Sequence, residues 1–168
     1  TDLLVERSRS EGSKAVRVDL ARLMVAPGTD DDRALRRTAV QDHGLERVAD
    51  LSLISLTRPA LTAAMPVHLD MPIRNTDRSV GAMLSGEIAR RYGAAGLSDE
   101  TIRIAFHGSA GQSFGAFLEK GVTFALEGDA NDYLGKGLSG GKIVVRPPQG
   151  STFAPEENII AGNTLLYG

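Results

Sequence analysis

The chain has 168 residues, enough for one domain that hides roughly 70% of its unfolded surface. It is 42% hydrophobic and 24% charged, with 19 Lys and Arg against 21 Asp and Glu; this excludes a disordered or fibrous chain and leaves no electrostatic footprint for nucleic acid or an anionic membrane. Cysteine is absent, which excludes disulfides, thiol nucleophiles and a metal cluster held by the chain's own thiolates, and makes a cytoplasmic home the expectation.

Residues 17–25 offer a short apolar stretch, and Pro27, Gly28 and Thr29 lead into the acidic run Asp30, Asp31 and Asp32, which reads as a solvated loop. From Asp42 the pattern turns helical. Leu45, Val48, Ala49, Leu51 and Leu53 recur at near-helical spacing, with Asp42 as the N-cap and Pro59 as the stop. Pro66 introduces Val67, His68, Leu69, Asp70 and Met71, whose apolar/polar alternation predicts a half-buried strand. Val80, Leu84, Ile88 and Tyr92 fall on one helical stripe, with Ser79 to cap its start and Gly93 to end it. No apolar run approaches the roughly 20 residues needed to span a bilayer.

Beyond about residue 100, glycine-rich turns alternate with short strand-like runs. A shift of twenty residues superposes them: Ile102, Ile104 and Phe106 fall on Val122, Phe124 and Leu126. Gly108, Gly115 and Gly121 fall on Gly128, Gly135 and Gly141. A third run, Ile143, Val144 and Val145, follows with one residue of slippage and with Pro147 and Pro148 where its first turn belongs. One such unit cannot bury its own apolar face, whereas stacked units can, with strands about 4.8 Å apart. The expectation is therefore a mainly β chain, a right-handed parallel β-helix or glycine-rich solenoid with a partly helical N-terminal segment; a glycine-rich β-sandwich is the other arrangement the repeat allows. On this reading residues 1–66 form the partly helical segment and linker, and 67–168 form the start of the repeat domain. Gly108, Gly111, Gly115, Gly121, Gly128, Gly135 and Gly141 are its structural turn glycines.

Motifs that could carry chemistry are few. Gly111, Ser113 and Gly115 spell the G-x-S-x-G of a nucleophile elbow, but no His follows Ser113 and too few residues remain before Gly121 for the helix the elbow needs. The run from Gly135 through Lys136 and Gly137 to Gly140, Gly141 and Lys142 resembles a phosphate-binding loop, yet Ile143 stands where Ser or Thr is required. His43, His68 and His107 are scattered and make no metal-ligand pair. Asp129 and Asp132 flank Asn131 at a turn, where such residues usually bond their own backbone. The expectation is no catalytic, cofactor or metal site on this chain.

Longer strings carry a family resemblance. Ile73 through Gly81 (IRNTDRSVG), Gly108 through Gly115 (GSAGQSFG), Gly128 through Gly137 (GDANDYLGKG), Gly162, Asn163 and Thr164, and the closing Leu166, Tyr167 and Gly168 resemble the C-terminal glycine-motif domain of the glutamate synthase large subunit. The likeness implies a structural, interdomain domain without its own active site, inside an enzyme that makes L-glutamate from 2-oxoglutarate and glutamine. It also implies an amidotransferase domain and an FMN-binding synthase domain as partners in the same or a partner polypeptide, with FMN and an iron–sulfur cluster held there. Family members continue with further glycine-rich coils, so the chain is expected to stop within its domain and to self-associate when isolated. The alternative is a stand-alone scaffold subunit of an N-methylglutamate synthase-like complex; a related subunit of formylmethanofuran dehydrogenase fits less of the 128–137 string.

Overall fold

Alternation in the strand segments divides their side chains between a buried face and a solvent face, and this division builds the sheet. In the computed structural model, which describes residues 37–168, four parallel strands lie in the order β1 (Val67–Ile73), β2 (Ile102–Ala110), β3 (Val122–Ala130) and β4 (Lys142–Arg146). The strands and helices described here fall within a compact unit, Gly44–Gly168. The twenty-residue offset is the pairing register of β2 and β3: Ile102 lies beside Val122, Phe106 beside Leu126 and Ala110 beside Ala130. The buried face carries Ile102, Ile104, Phe106, Val122, Phe124 and Leu126, while Arg103, His107 and Lys142 face solvent.

Three helices share the same core: α1 (Ala49–Leu56), α2 (Arg58–Ala63) and α3 (Ala82–Tyr92). Leu53, Ala60, Leu61, Leu84 and Ile88 join the strand residues in one hydrophobic cluster. At its centre Phe106, Phe114 and Phe124 meet with ring centroids 5.0–5.2 Å apart. Burying each ring stabilises the fold by about 2–3 kcal/mol, and the edge-on pairs add roughly 1 kcal/mol apiece. No helix among the described residues is long and apolar enough to cross a membrane.

The expected mainly β, right-handed parallel β-helix is overturned: the described residues form a small α/β domain with a four-stranded parallel sheet and helices packed into its core. A solenoid needs each coil to supply strands to more than one sheet. Here the stretches between Ala110 and Val122 and between Ala130 and Lys142 form no strand of that length, only turns with isolated bridges such as Glu119 to Ser139. The reason is local: Ser113, Gly115 and Phe117, and again Tyr133, Gly135 and Gly137, take positive φ at every second position, which no extended strand tolerates. These turns still stack through backbone hydrogen bonds, with the Ser113 N–H donating to Asp132 O (2.9 Å), Gly135 N–H to Phe114 O (2.9 Å) and Phe117 N–H to Lys136 O (2.7 Å).

Helix ends differ from expectation as well. Val48, not Asp42, precedes α1, and Pro59 falls in the first turn of α2, where its missing N–H costs nothing. Gly81, not Ser79, stands at the start of α3, and Gly93 follows its end with φ 59°. The apolar stretch 17–25 and the Asp30, Asp31 and Asp32 run lie outside the described residues.

Candidate functional site

Parallel sheets place ligand chemistry at the carboxyl ends of their strands, and there Asn75, Ser109, Asp129, Asn131 and Asp132 bond to one another or to backbone. Ser109 Oγ donates to Asp129 Oδ1 (2.7 Å), joining β2 to β3. Asn131 Nδ2 donates to Asn75 Oδ1 (3.0 Å), reaching across to the segment after β1. Asp132 Oδ1 accepts the Asn163 N–H (2.7 Å), while the Asp132 N–H itself donates to Asn131 Oδ1 (2.7 Å). The Ser109, Asn131 and Asn163 bonds join different layers, and both Asp129 and Asp132 spend an oxygen on them.

The solvent face of the sheet carries a second polar group. His107 Nε2 lies 3.0 Å from Asp70 Oδ2. Glu127 accepts from the Gln149 N–H (3.0 Å) and from Arg146 Nη2 (2.9 Å), and these contacts, the Gln149 bond first, hold its carboxyl below the usual carboxylate range. A half-buried acid with a lowered pKa is a structural anchor rather than a proton donor at neutral pH.

Ser113 sits in a turn with φ 63°, its N–H bonded to Asp132 O, and no helix follows; the arrangement is not a nucleophile elbow. Lys142 opens β4 and reaches Asp99 Oδ2 (3.1 Å), and the Lys136 ammonium lies 5.8 Å from the Tyr133 ring centroid. Neither lysine is held over a phosphate cradle at a helix start. His68 is exposed on β1, and His43 is exposed outside the compact unit. Among the described residues no group of three or more His, Asp or Glu could hold a metal ion.

Of the glycines expected at turns, Gly108 and Gly128 instead lie inside β2 and β3. Gly108 and Gly128 follow one another in the β2–β3 register with φ 130° and 151°, and a Cβ on Gly128 would lie inside the Gly108 carbonyl. Gly115, Gly121 and Gly135 also take positive φ. Gly111 and Gly141 do not, but the carbonyl oxygens of Asp77 and Leu118 approach to 2.5 Å and 2.9 Å of where a Cβ would stand.

Sequence reasoning missed Asp50. It is 3% exposed in α1, and its carboxylate accepts the N–H groups of Gly81 and Leu84 (2.9 Å each) at the start of α3. Burial pushes its pKa up against the opposing pull of those N–H bonds. The only trace in the sequence is one acid inside an apolar helical stretch; its partners lie 31 and 34 residues away.

A family profile described as "GXGXG motif" matches residues 50–168. The chain is 45% identical to "Glutamate synthase [NADH]" of Saccharomyces cerevisiae, over 93% of this chain and 7% of that protein. It is 40% identical to "Glutamate synthase [NADPH] large chain" of Bacillus subtilis and 42% identical to "Ferredoxin-dependent glutamate synthase 2" of Synechocystis, in both cases over 100% of this chain and 11% of the relative. The chain thus spans about a tenth or less of the length of these relatives. With its glycine turns and long shared strings, the chain belongs to the GXGXG motif family, in the form that occurs within glutamate synthases.

Proposed function

We propose that the domain is a non-catalytic scaffold between the working parts of a glutamate synthase, which forms L-glutamate from 2-oxoglutarate and glutamine in the cytoplasm. One observation carries the reading: the acids and amides that follow β2 and β3 are engaged between layers, Ser109 with Asp129, Asn75 with Asn131, and Asp132 with the Asn163 N–H. Groups so engaged keep layers in register instead of meeting a substrate. The likeness to relatives named for NADH, NADPH and ferredoxin, at 40–45% identity, further supports a role indifferent to the electron donor.

In this reading the amidotransferase and FMN-binding synthase domains are its neighbours, and both FMN and the iron–sulfur cluster belong to them. The chain has no cysteine to ligate a cluster. Replacing Asp129 and Asp132 by Asn in the full-length enzyme tests the proposal. Glutamine hydrolysis and ammonia-dependent glutamate formation should each stay within about twofold, because neither carboxylate handles a proton of the reaction. A roughly 100-fold fall in kcat with the fold intact, the loss typical of a missing general acid or base, would overturn it.

A further inference from the structure

The outer face of the sheet carries its charges in rows, because the register sets one side chain from each strand beside the next. In one row Pro72, His107, Glu127 and Arg146 lie side by side, with Asp70 two residues earlier on β1. That group balances itself, His107 meeting Asp70 and Glu127 meeting Arg146. The row of His68, Arg103, Thr123 and Lys142 does not: it holds bases and a hydroxyl but no acid.

Its carboxylates come from outside the sheet. Asp99 Oδ2 lies 3.1 Å from Lys142 Nζ, and Glu100 Oε1 lies 3.0 Å from Arg103 Nη1, so two consecutive residues of the segment before β2 serve the two cations. Glu100 does so from a positive φ of 56°, which a residue with a side chain adopts at a cost. The four side chains are 45–65% exposed, and ion pairs in that setting exchange readily. Between the two cations Thr123 is 2% exposed, and among the described residues its hydroxyl meets no hydrogen-bond partner. A buried hydroxyl without a partner is rare and unfavourable. The sheet thus holds two cations two strand spacings apart, about 10 Å at the backbone, with an idle donor between them.

We infer that Arg103, Thr123 and Lys142 form a binding site for a small dicarboxylate, and that Asp99 and Glu100 hold its two cations when the ligand is absent. Arg103 takes one carboxylate through its planar fork, and Lys142 takes the other as a point charge. The Thr123 hydroxyl donates to the ligand once the flanking side chains part, and so gains the acceptor it lacks. A ligand with an acid at each end replaces both loop carboxylates at once and leaves the charge balance of the row unchanged. A monoanion would release only one of them. The site is additional to the scaffold role proposed above and does not rest on it.

Isothermal titration calorimetry of glutarate into the full-length protein tests the site, with ionic strength held constant by chloride. Thr123→Val should weaken one binding event at least about tenfold, while Asp99→Asn combined with Glu100→Gln should strengthen the same event about tenfold by removing the competing carboxylates. Lys142→Gln, an exposed substitution, should weaken it as well and carries the reading if Thr123→Val unfolds. Hydrogen exchange supplies a second readout at the Thr101 amide, which donates to Ser98 O (3.2 Å) within the loop. Glutarate should speed exchange in peptides spanning residues 98–101 as the loop is released, and acetate at the same carboxylate concentration should not. The site is overturned by an absence of glutarate binding, by equal affinity in the wild-type, Thr123→Val and Lys142→Gln proteins, or by acetate moving exchange at 98–101 as far as glutarate does.

Discussion

The helices and the glycine turns are fastened by different means. Around α3, side chains make the joints: Asp50 holds its start, the Tyr92 hydroxyl reaches Ala60 O (3.3 Å) and Leu61 O (3.1 Å) at its end, and Ser85 Oγ accepts the Glu119 N–H (3.1 Å). In the layers beyond Ile102 the backbone does most of this work, strand to strand and turn to turn, with the side chains trimmed to glycine where chains come closest. A side-chain joint can be removed and leave its neighbours in place. A backbone joint cannot be changed without moving everything stacked on it, so the two regions should respond differently to substitution.

The largest effect should come from Gly128→Ala. The new methyl would combine positive-φ strain with collision against the Gly108 carbonyl, for a loss of about 4 kcal/mol. Thermal unfolding should show a chain with little or no cooperative transition at 37 °C. A well-folded Ala variant would mean that the layers can slide apart and that the backbone stack is softer than drawn here.

Asp50→Ala should cost less, about 2–3 kcal/mol, by leaving two buried N–H groups without acceptors. Hydrogen exchange should speed up at Gly81 and Leu84 while the β2–β3 amides stay protected. Equal loss of protection in both regions would erase the proposed division. Asp50→Asn sharpens the same point through pH. Because the folded state raises the Asp50 pKa, that group's linked stability is fully present below the ordinary 3.8 and is lost as pH rises through the raised value. The Asn variant should lack that downward contribution, so its stability should fall less, or rise more, over the same interval in urea titrations.

The smallest effect should have the opposite sign. Thr123 stands between Arg103 and Lys142 in register, 2% exposed, and its hydroxyl has no hydrogen-bond partner. Thr123→Val keeps the shape and removes an unsatisfied group, and should stabilise the domain by up to about 1 kcal/mol. A destabilised Val variant would show that the hydroxyl is satisfied by water, and that this part of the sheet is wetter than its burial indicates.

Legibility followed the range of the interaction. The β1, β2 and β3 segments, the stripe of α3 and the β2–β3 register could be read from alternation and from the twenty-residue shift, because strand pairing copies the repeat directly. The boundary near Ser79 differs because its cap lies elsewhere, Gly81 and Leu84 borrowing an acceptor from Asp50 that local cap rules do not see, and Pro59 opens α2 instead of closing α1. The solenoid expectation failed on the turns. Residues 113, 115 and 117 look like any glycine-rich connection in sequence, and only their φ values exclude a second sheet.

Composition, spacing and the long glycine strings by themselves determined the family, the strand periodicity and the lack of thiol chemistry, since each depends on residue identity or on neighbours at fixed offsets. The tertiary structure decided the rest. It turned Asp129 and Asp132 into ties between layers, buried Asp50 as a cap, and left the Thr123 hydroxyl buried without a partner. Each of those outcomes depends on which distant backbone comes within about 3 Å of a given side chain, and that proximity is set by how the layers and helices pack.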